Sequence, residues 1–213
     1  MKVSYGITVH NEQEELERLL GKLLVSIDEE DEVVICVDGN HKGVRDVIEL
    51  YSIDSRVIHY DRKLDGNFAE HKNSVIEKSS GDYIFHIDAD EYPHDTLLRQ
   101  LKQILEINDV DLIWIPRVNT IDGMTDEHIQ RWGWRVSEKK WVNYPDYQAR
   151  VFRRDSEIRW TRPLHEHIIG CKTYAHLPPH EELSLYHPKT IQKQEQQNLY
   201  YNQNFSKELN VRR

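Results

Sequence analysis

Residues 81–91 read Gly-Asp-Tyr-Ile-Phe-His-Ile-Asp-Ala-Asp-Glu, and the acids that end this run, Asp88, Asp90 and Glu91, carry the sharpest chemical signal in the chain. Residues 83–87 are mostly β-branched and aromatic and follow a Ser-Ser-Gly-Asp turn, which predicts a strand buried in a sheet. Successive strand residues face opposite ways, so an extended backbone through Ala89 would aim Asp88 and Asp90 at one point. Two carboxylates repel one another there unless a cation joins them, and open α/β sheets seat ligands just beyond the carboxyl ends of their strands. Hard oxygen donors suit Mg²⁺ or Mn²⁺, ions that keep positions open for water and substrate phosphates. The pattern predicts a metal-diphosphate site. The plainer alternative is a pair of turn acids, one of them capping the helix after Pro93.

Asp38 precedes Gly39 where a second apolar run stops, so its carboxylate can accept the imide N–H of uracil or simply begin an Asp-Gly turn. No Gly-x-Gly-x-x-Gly or Walker A pattern follows a predicted strand, which removes the usual dinucleotide and P-loop modes.

The elements that must position these residues alternate from the start. Val3, Tyr5, Ile7 and Val9 have the period of a strand; Asn11 and Glu14 then offer a capping box ahead of Leu16, Leu19, Leu20 and Leu23 at helical spacing. Residues 32–37 and 56–60 read as strands with a helix marked by Val44, Val47, Ile48 and Tyr51 between them. A helix over 68–79 leads into the acidic strand, Leu97, Leu98, Leu101, Ile104 and Leu105 mark another, and 112–115 is a buried strand. This βαβαβαβαβ order predicts an α/β fold with a mostly parallel central sheet and helices on both faces. From Arg117 the pattern changes to an excursion over the sheet, with short strands at 148–153 and 157–160 as a pair and a weakly amphipathic closing helix over 190–205.

A chain of 213 residues suits a single domain with a substantial core. The net charge of -9 gives no electrostatic footprint for nucleic acid. Two cysteines far apart imply neither a disulfide framework nor a thiolate zinc site, and the expected compartment is reducing, that is, cytoplasmic. No run approaches the ~20 apolar residues of a membrane span.

The first ~120 residues resemble the GT-A fold glycosyltransferases of family 2, which are inverting sugar-nucleotide enzymes. The matching blocks are Ile7-Thr8-Val9-His10-Asn11-Glu12, Val33-Val34-Ile35-Cys36-Val37-Asp38-Gly39, Phe68-Ala69-Glu70-His71-Lys72-Asn73, and Ser80-Gly81-Asp82-Tyr83 through Ile87-Asp88-Ala89-Asp90-Glu91. The resemblance implies that Thr8, Val9 and Glu12 approach a nucleoside, that Asp38 reads uracil, that Lys72 lies near base or phosphate, and that Asp88, Ala89 and Asp90 meet ribose and metal. One departure is that the family often carries Asp-Asp-Gly-Ser where this chain has Val37-Asp38-Gly39-Asn40. Residues 148–154 and the Pro163-Leu164-His165-Glu166-His167 run are similar to the lipopolysaccharide-core branch of the family. Length and overall pattern also resemble the amino-terminal domain of a multidomain glycosyltransferase of chlorella viruses, which would make the chain part of a longer polypeptide.

Under that resemblance the expected reaction is metal-dependent (Mn²⁺ or Mg²⁺) inverting transfer of a hexosyl or deoxyhexosyl group from a UDP-sugar to a hydroxyl of a glycan acceptor. Glu166, flanked by His165 and His167, is the expected base and Asp146 the alternative. His187 or His165 would complete the metal sphere, and Trp132 and Trp134, with Arg150, would meet the acceptor, although the tryptophans serve equally as core of a smaller second layer. The expected division is a nucleotide-sugar half over 1–117 and an acceptor half over 118–213. Glycoside hydrolysis is disfavoured because Asp88 and Asp90 are too close in sequence to flank a glycosidic bond. A non-catalytic nucleotide-sugar or glycan-binding module is the competing function; it predicts that Glu166 and Asp146 are dispensable.

Overall fold

Strand β1 (Val3–Val9) lies near the middle of the sheet, and six of its residues are buried because helices cover both faces. The computed structural model describes residues 1–210. Along the first half β1 is followed by α1 (Gln13–Leu24), β2 (Glu32–Val37), α2 (Lys42–Tyr51), β3 (Val57–Asp61), α3 (Phe68–Lys78) and β4 (Tyr83–Asp88), the predicted alternation. Then come β5 (Tyr92–Pro93), α4 (Asp95–Asn108), β6 (Leu112–Ile115), β7 (Arg117–Asp122) and α5 (Asp126–Trp132). The remainder comprises β8 (Gln148–Arg153), β9 (Arg159–Thr161), β10 (His167–Ile169), β11 (Tyr174–His176), a 3-10 turn at Glu181–Leu183, β12 (Leu185–Thr190) and α6 (Ile191–Asn204).

The seven-stranded sheet runs β11-β6-β8-β4-β1-β2-β3, and β3, β2, β1 and β4 are mutually parallel. Leu16, Leu19, Leu20, Val44, Leu97 and Leu101 pack one face, while Ala69 and Ile76 of α3 join Ile84, Phe152 and Trp160 on the other. Gly6 lets α3 approach closely, since a Cβ there would lie 2.4 Å from Val75 Cγ1.

The second half is more than an excursion. β8 enters the central sheet between β4 and β6, antiparallel to both, and β11 adds an edge beyond β6. The strands predicted as a pair at 148–153 and 157–160 therefore part company: β8 joins the main sheet while β9 pairs with β10. A small three-stranded sheet, β5-β12-β7, forms the additional β layer.

Two expectations about helix ends change. Glu12, not Asn11, is the residue at the start of α1, and its Oε2 accepts the backbone N–H groups of His10 and Asn11, tightening the β1–α1 loop instead of capping the helix. Helix α4 is capped by His94, whose Nδ1 accepts from Thr96 N–H at 3.0 Å, so neither Asp88 nor Asp90 is spent as a cap. No helix among the described residues is long and apolar enough to cross a membrane.

Candidate active site

A cleft of about 830 Å³ opens at the carboxyl ends of β1, β2 and β4, where a mostly parallel sheet exposes its strand termini. Thr8, Val9, Glu12, Asp38, Lys72, Asp88, Ala89, Asp90, Asp146, Arg150, His165, Glu166 and His187 all line it, although they come from both halves of the sequence. Pairing of Thr8 with Asp88 across β1 and β4 puts Thr8 and Val9, the residues expected to approach a nucleoside, directly beside the acidic strand end.

The aspartates do not share one point as an extended backbone would require. The chain turns at Ala89, with Glu91 N–H donating to the Asp88 carbonyl at 2.8 Å, and each carboxylate gains its own cations. Asp88 meets Arg150 at 2.5 Å through Oδ2 and Lys72 at 3.1 Å through Oδ1. Burial by itself would raise the Asp88 carboxyl, but Arg150 and Lys72 hold it well below the usual carboxylate range. Arg150 also binds Glu91, and Arg117 bridges Glu91 and Asp146, both at 2.6 Å. Register explains this: β8, inserted next to β4, delivers Arg150 to the acids, so the guanidinium lines the cleft as a buried member of an ion-pair chain.

Lys72 is the joint of the site. It is 5% exposed, its Nζ lies 2.6 Å from Glu166 Oε1, and it sits 4.8 Å above the Trp160 ring. One buried ammonium thus couples the acidic strand end to the carboxylate expected to act as base. Burial pulls the Lys72 ammonium down, yet Asp88 and Glu166 more than offset it and its pKa rises. Burial likewise pushes the Glu166 carboxyl up, and Lys72 brings it below the ordinary value, so Glu166 is ionised at neutral pH. Behind it, burial drives the His86 imidazole down to about 4, next to Lys72, leaving a neutral ring edge-on to Trp160.

At the other end, Asp90 Oδ2 lies 3.4 Å from His187 Nε2, 3.6 Å from Lys193 and 3.9 Å from Lys189. His187 and Lys189 sit two apart on β12 and so share a face; His187 Nδ1 is 2.8 Å from Asn119 Oδ1, which orients the ring. Burial raises the Asp90 carboxyl, but His187 and the two lysines hold it far below its ordinary value; Lys189 is pushed down by burial despite Asp90. Among the described residues no three His, Cys, Asp or Glu side chains gather closely enough to hold a metal alone. Asp90 with His187 does fit a half-built site, one oxygen and one imidazole donor open to further oxygens from a ligand.

Asp38 lines the cleft at the end of β2: its Oδ1 accepts Leu64 N–H at 3.1 Å and its Oδ2 lies 3.2 Å from His10 Nδ1, with Gly39 in the left-handed region (φ 84°) turning the chain away. His165 turns toward the carboxyl-terminal segment, with Nε2 3.2 Å from Asn210 Oδ1 and its ring against Tyr201. Trp132 and Trp134 pack on each other with centroids 4.7 Å apart and do not line the cleft; Trp114 and Trp160 do. Sequence reasoning missed Trp114, Arg117, Lys189 and Lys193. The His187-Pro188-Lys189 alternation signalled Lys189; nothing local signalled Trp114, which reads as one more residue of a buried strand.

The sequence model of the family described as "Glycosyl transferase family 2" matches residues 4–182. An uncharacterized glycosyltransferase of Rickettsia bellii (strain RML369-C) is 32% identical over 108 residues, half of this chain but 16% of that protein. Among solved structures, residues 1–349 of S. aureus TarS superimpose with a TM-score of 0.65 at 14% identity, over 88% of this chain and 60% of that one. The same TarS piece in complex with UDP-GlcNAc gives 0.65 at 15% identity, over 89% and 59%. The TarS structures share the fold, and the chain spans less than two thirds of each of these relatives.

Proposed function

We propose, from the premise that this chain belongs to glycosyl transferase family 2, that it moves a sugar from a UDP-sugar to a hydroxyl of a glycan acceptor with inversion at the anomeric carbon. The observation that carries the reading is the Asp88–Lys72–Glu166 bridge, which holds the nucleotide edge of the sheet and an ionised carboxylate in one cleft. The complex of TarS with UDP-GlcNAc, a protein of the same fold, favours a uridine donor.

In this reading the uracil lies by Asp38, Thr8 and Val9, and the diphosphate runs past Ala89 toward Asp90. Glu166 accepts the proton of the acceptor hydroxyl as that oxygen attacks the anomeric carbon; the bond from that carbon to the β-phosphate oxygen breaks with its electron pair leaving on UDP. Lys189 and Lys193 supply positive charge beside the departing diphosphate. Mn²⁺ or Mg²⁺, held by Asp90 and His187, would add Lewis-acid stabilisation of the leaving group. Asp146 serves as an anchor for Arg117, Asn119 and Gln148 and is the weaker candidate for base. Further domains of a longer polypeptide are part of the proposal, given how little of its relatives the chain spans.

Calorimetric titration with UDP, with and without Mn²⁺, tests this on the parent and on Asp90→Ala. Metal-enhanced binding that the variant loses is the expected result. A parent protein that binds UDP in neither condition overturns the donor assignment.

A further inference from the structure

Trp114 is not an isolated ring. β11 pairs in parallel with β6 so that His176 lies beside Trp114, and the two rings stack with an interplanar angle of 7° and centroids 5.7 Å apart. Tyr147 meets His176 edge-on at 5.0 Å, and Tyr174, two residues before His176 and so on the same face of β11, meets it edge-on at 5.8 Å. The inner end of this row, Trp114 and Tyr147, lines the cleft that holds Glu166; the outer end is open, with His176 exposed and Tyr174 66% exposed. An aromatic strip therefore runs from the lining of the cleft out over the free edge of the main sheet.

An edge strand with no function is expected to carry charge or proline, not a row of stacked rings, because exposed aromatic area there invites association. Aromatic faces suit the C–H faces of sugar rings, and polar groups that line the same cleft, Gln148 and Glu166, suit hydroxyls. In the proposed function the donor's nucleotide lies along a different stretch of the lining, from Asp38 to Asp90.

We infer that the strip Trp114–Tyr147–His176–Tyr174 is an acceptor subsite for an extended oligosaccharide, with the reacting ring on Trp114 and preceding rings laid outward over His176 and Tyr174. This rests on the glycosyltransferase reading and adds the acceptor's class to it: a chain of sugars, not a lone monosaccharide. The Trp132–Trp134 pair, which lies off the cleft, takes no part.

The test uses UDP-saturated protein and a panel of cello-, chito-, malto- and manno-oligosaccharides of one to six rings, with binding followed by tryptophan fluorescence and calorimetry. In at least one series affinity should rise with length, and Tyr174→Ala and His176→Ala, both at exposed positions, should each lower affinity for the longer members roughly fivefold, the scale of one aromatic contact, while the monosaccharide is held equally by the parent and these two variants. Trp114→Phe should keep the fold and weaken every member of the series. Affinity independent of length, variants that bind like the parent, or no binding across the panel would each overturn the inference. UDP binding in the same samples separates the two readings: UDP bound without length dependence removes only the acceptor strip, whereas length-dependent glycan binding without UDP removes the donor assignment and leaves the strip standing.

Discussion

Replacing Lys72 by methionine keeps the stem that packs near Trp160 and deletes the ammonium that two carboxylates share. At 2.6 Å from Glu166 and 3.1 Å from Asp88, the attractions are roughly 6 and 5 kcal/mol at an effective dielectric of about 20, before the cost of desolvating three charges is subtracted. Breaking a buried pair by removing one partner has a net cost of about 3–5 kcal/mol, so Lys72→Met should unfold at much lower urea than the parent at neutral pH. The sign of its pH dependence follows from the shifts. Glu166 and Asp88 are lowered, so their contribution is present above the unfolded carboxylate range and lost as pH falls through their folded values; Lys72 is raised, so its share is present below its unfolded value and lost as pH rises above it. Urea titrations from acid to alkaline pH should show the deficit of the variant largest between about pH 5 and 10 and shrinking at both ends. Lys72→Arg should recover part of it. A deficit under about 1 kcal/mol at pH 7, the size of an exposed pair, or one that does not change with pH, would refute the claim that Lys72 is the electrostatic joint of the site.

Glu166→Gln should leave UDP affinity near that of the parent while lowering turnover of a UDP-sugar by roughly 10²–10⁴-fold, the range for loss of a general base. Asp146→Asn should keep most of the turnover and lower stability by weakening the Arg117 anchor; steady-state kinetics in which Asp146→Asn loses turnover and Glu166→Gln keeps it would refute the base assignment. Away from the cleft, Glu32 is buried at the start of β2 and accepts from Lys2, Ser4 and Ser80, which overcomes its burial and lowers its carboxyl to about 2. Against an ordinary 4.5, that is about 3 kcal/mol present above pH 4.5 and lost as pH falls through 2. Glu32→Gln should therefore be less stable than the parent at pH 7 and converge with it near pH 2; parallel stability curves would contradict this.

The alternation of β1 through β6 was legible because each element there is set by local periodicity: Val3, Tyr5, Ile7 and Val9 repeat at two, and Leu16, Leu19, Leu20 and Leu23 at three and four. The acidic run was equally plain, as three acids end a buried strand, and the His-Glu pair singled out Glu166, which lines the same cleft. Long-range pairing was not. Nothing in residues 148–153 says that they slide between β4 and β6, yet that insertion is what carries Arg150 to Asp88. Charge complementarity is decided in space: Lys72 is 16 residues from Asp88 and 94 from Glu166 along the chain, and only the approach of α3 to β1, permitted by Gly6, lets one ammonium serve both. The aromatic residues show the same division. Sequence proximity grouped Trp132 with Trp134, and they do pack together, but the rings that face the cleft were chosen by strand pairing, which sets His176 of β11 beside Trp114 of β6. The sequence alone determined which residues could do chemistry and the strands that end beside them; the tertiary fold decided which charge meets which, because that depends on contacts between elements that local spacing does not encode.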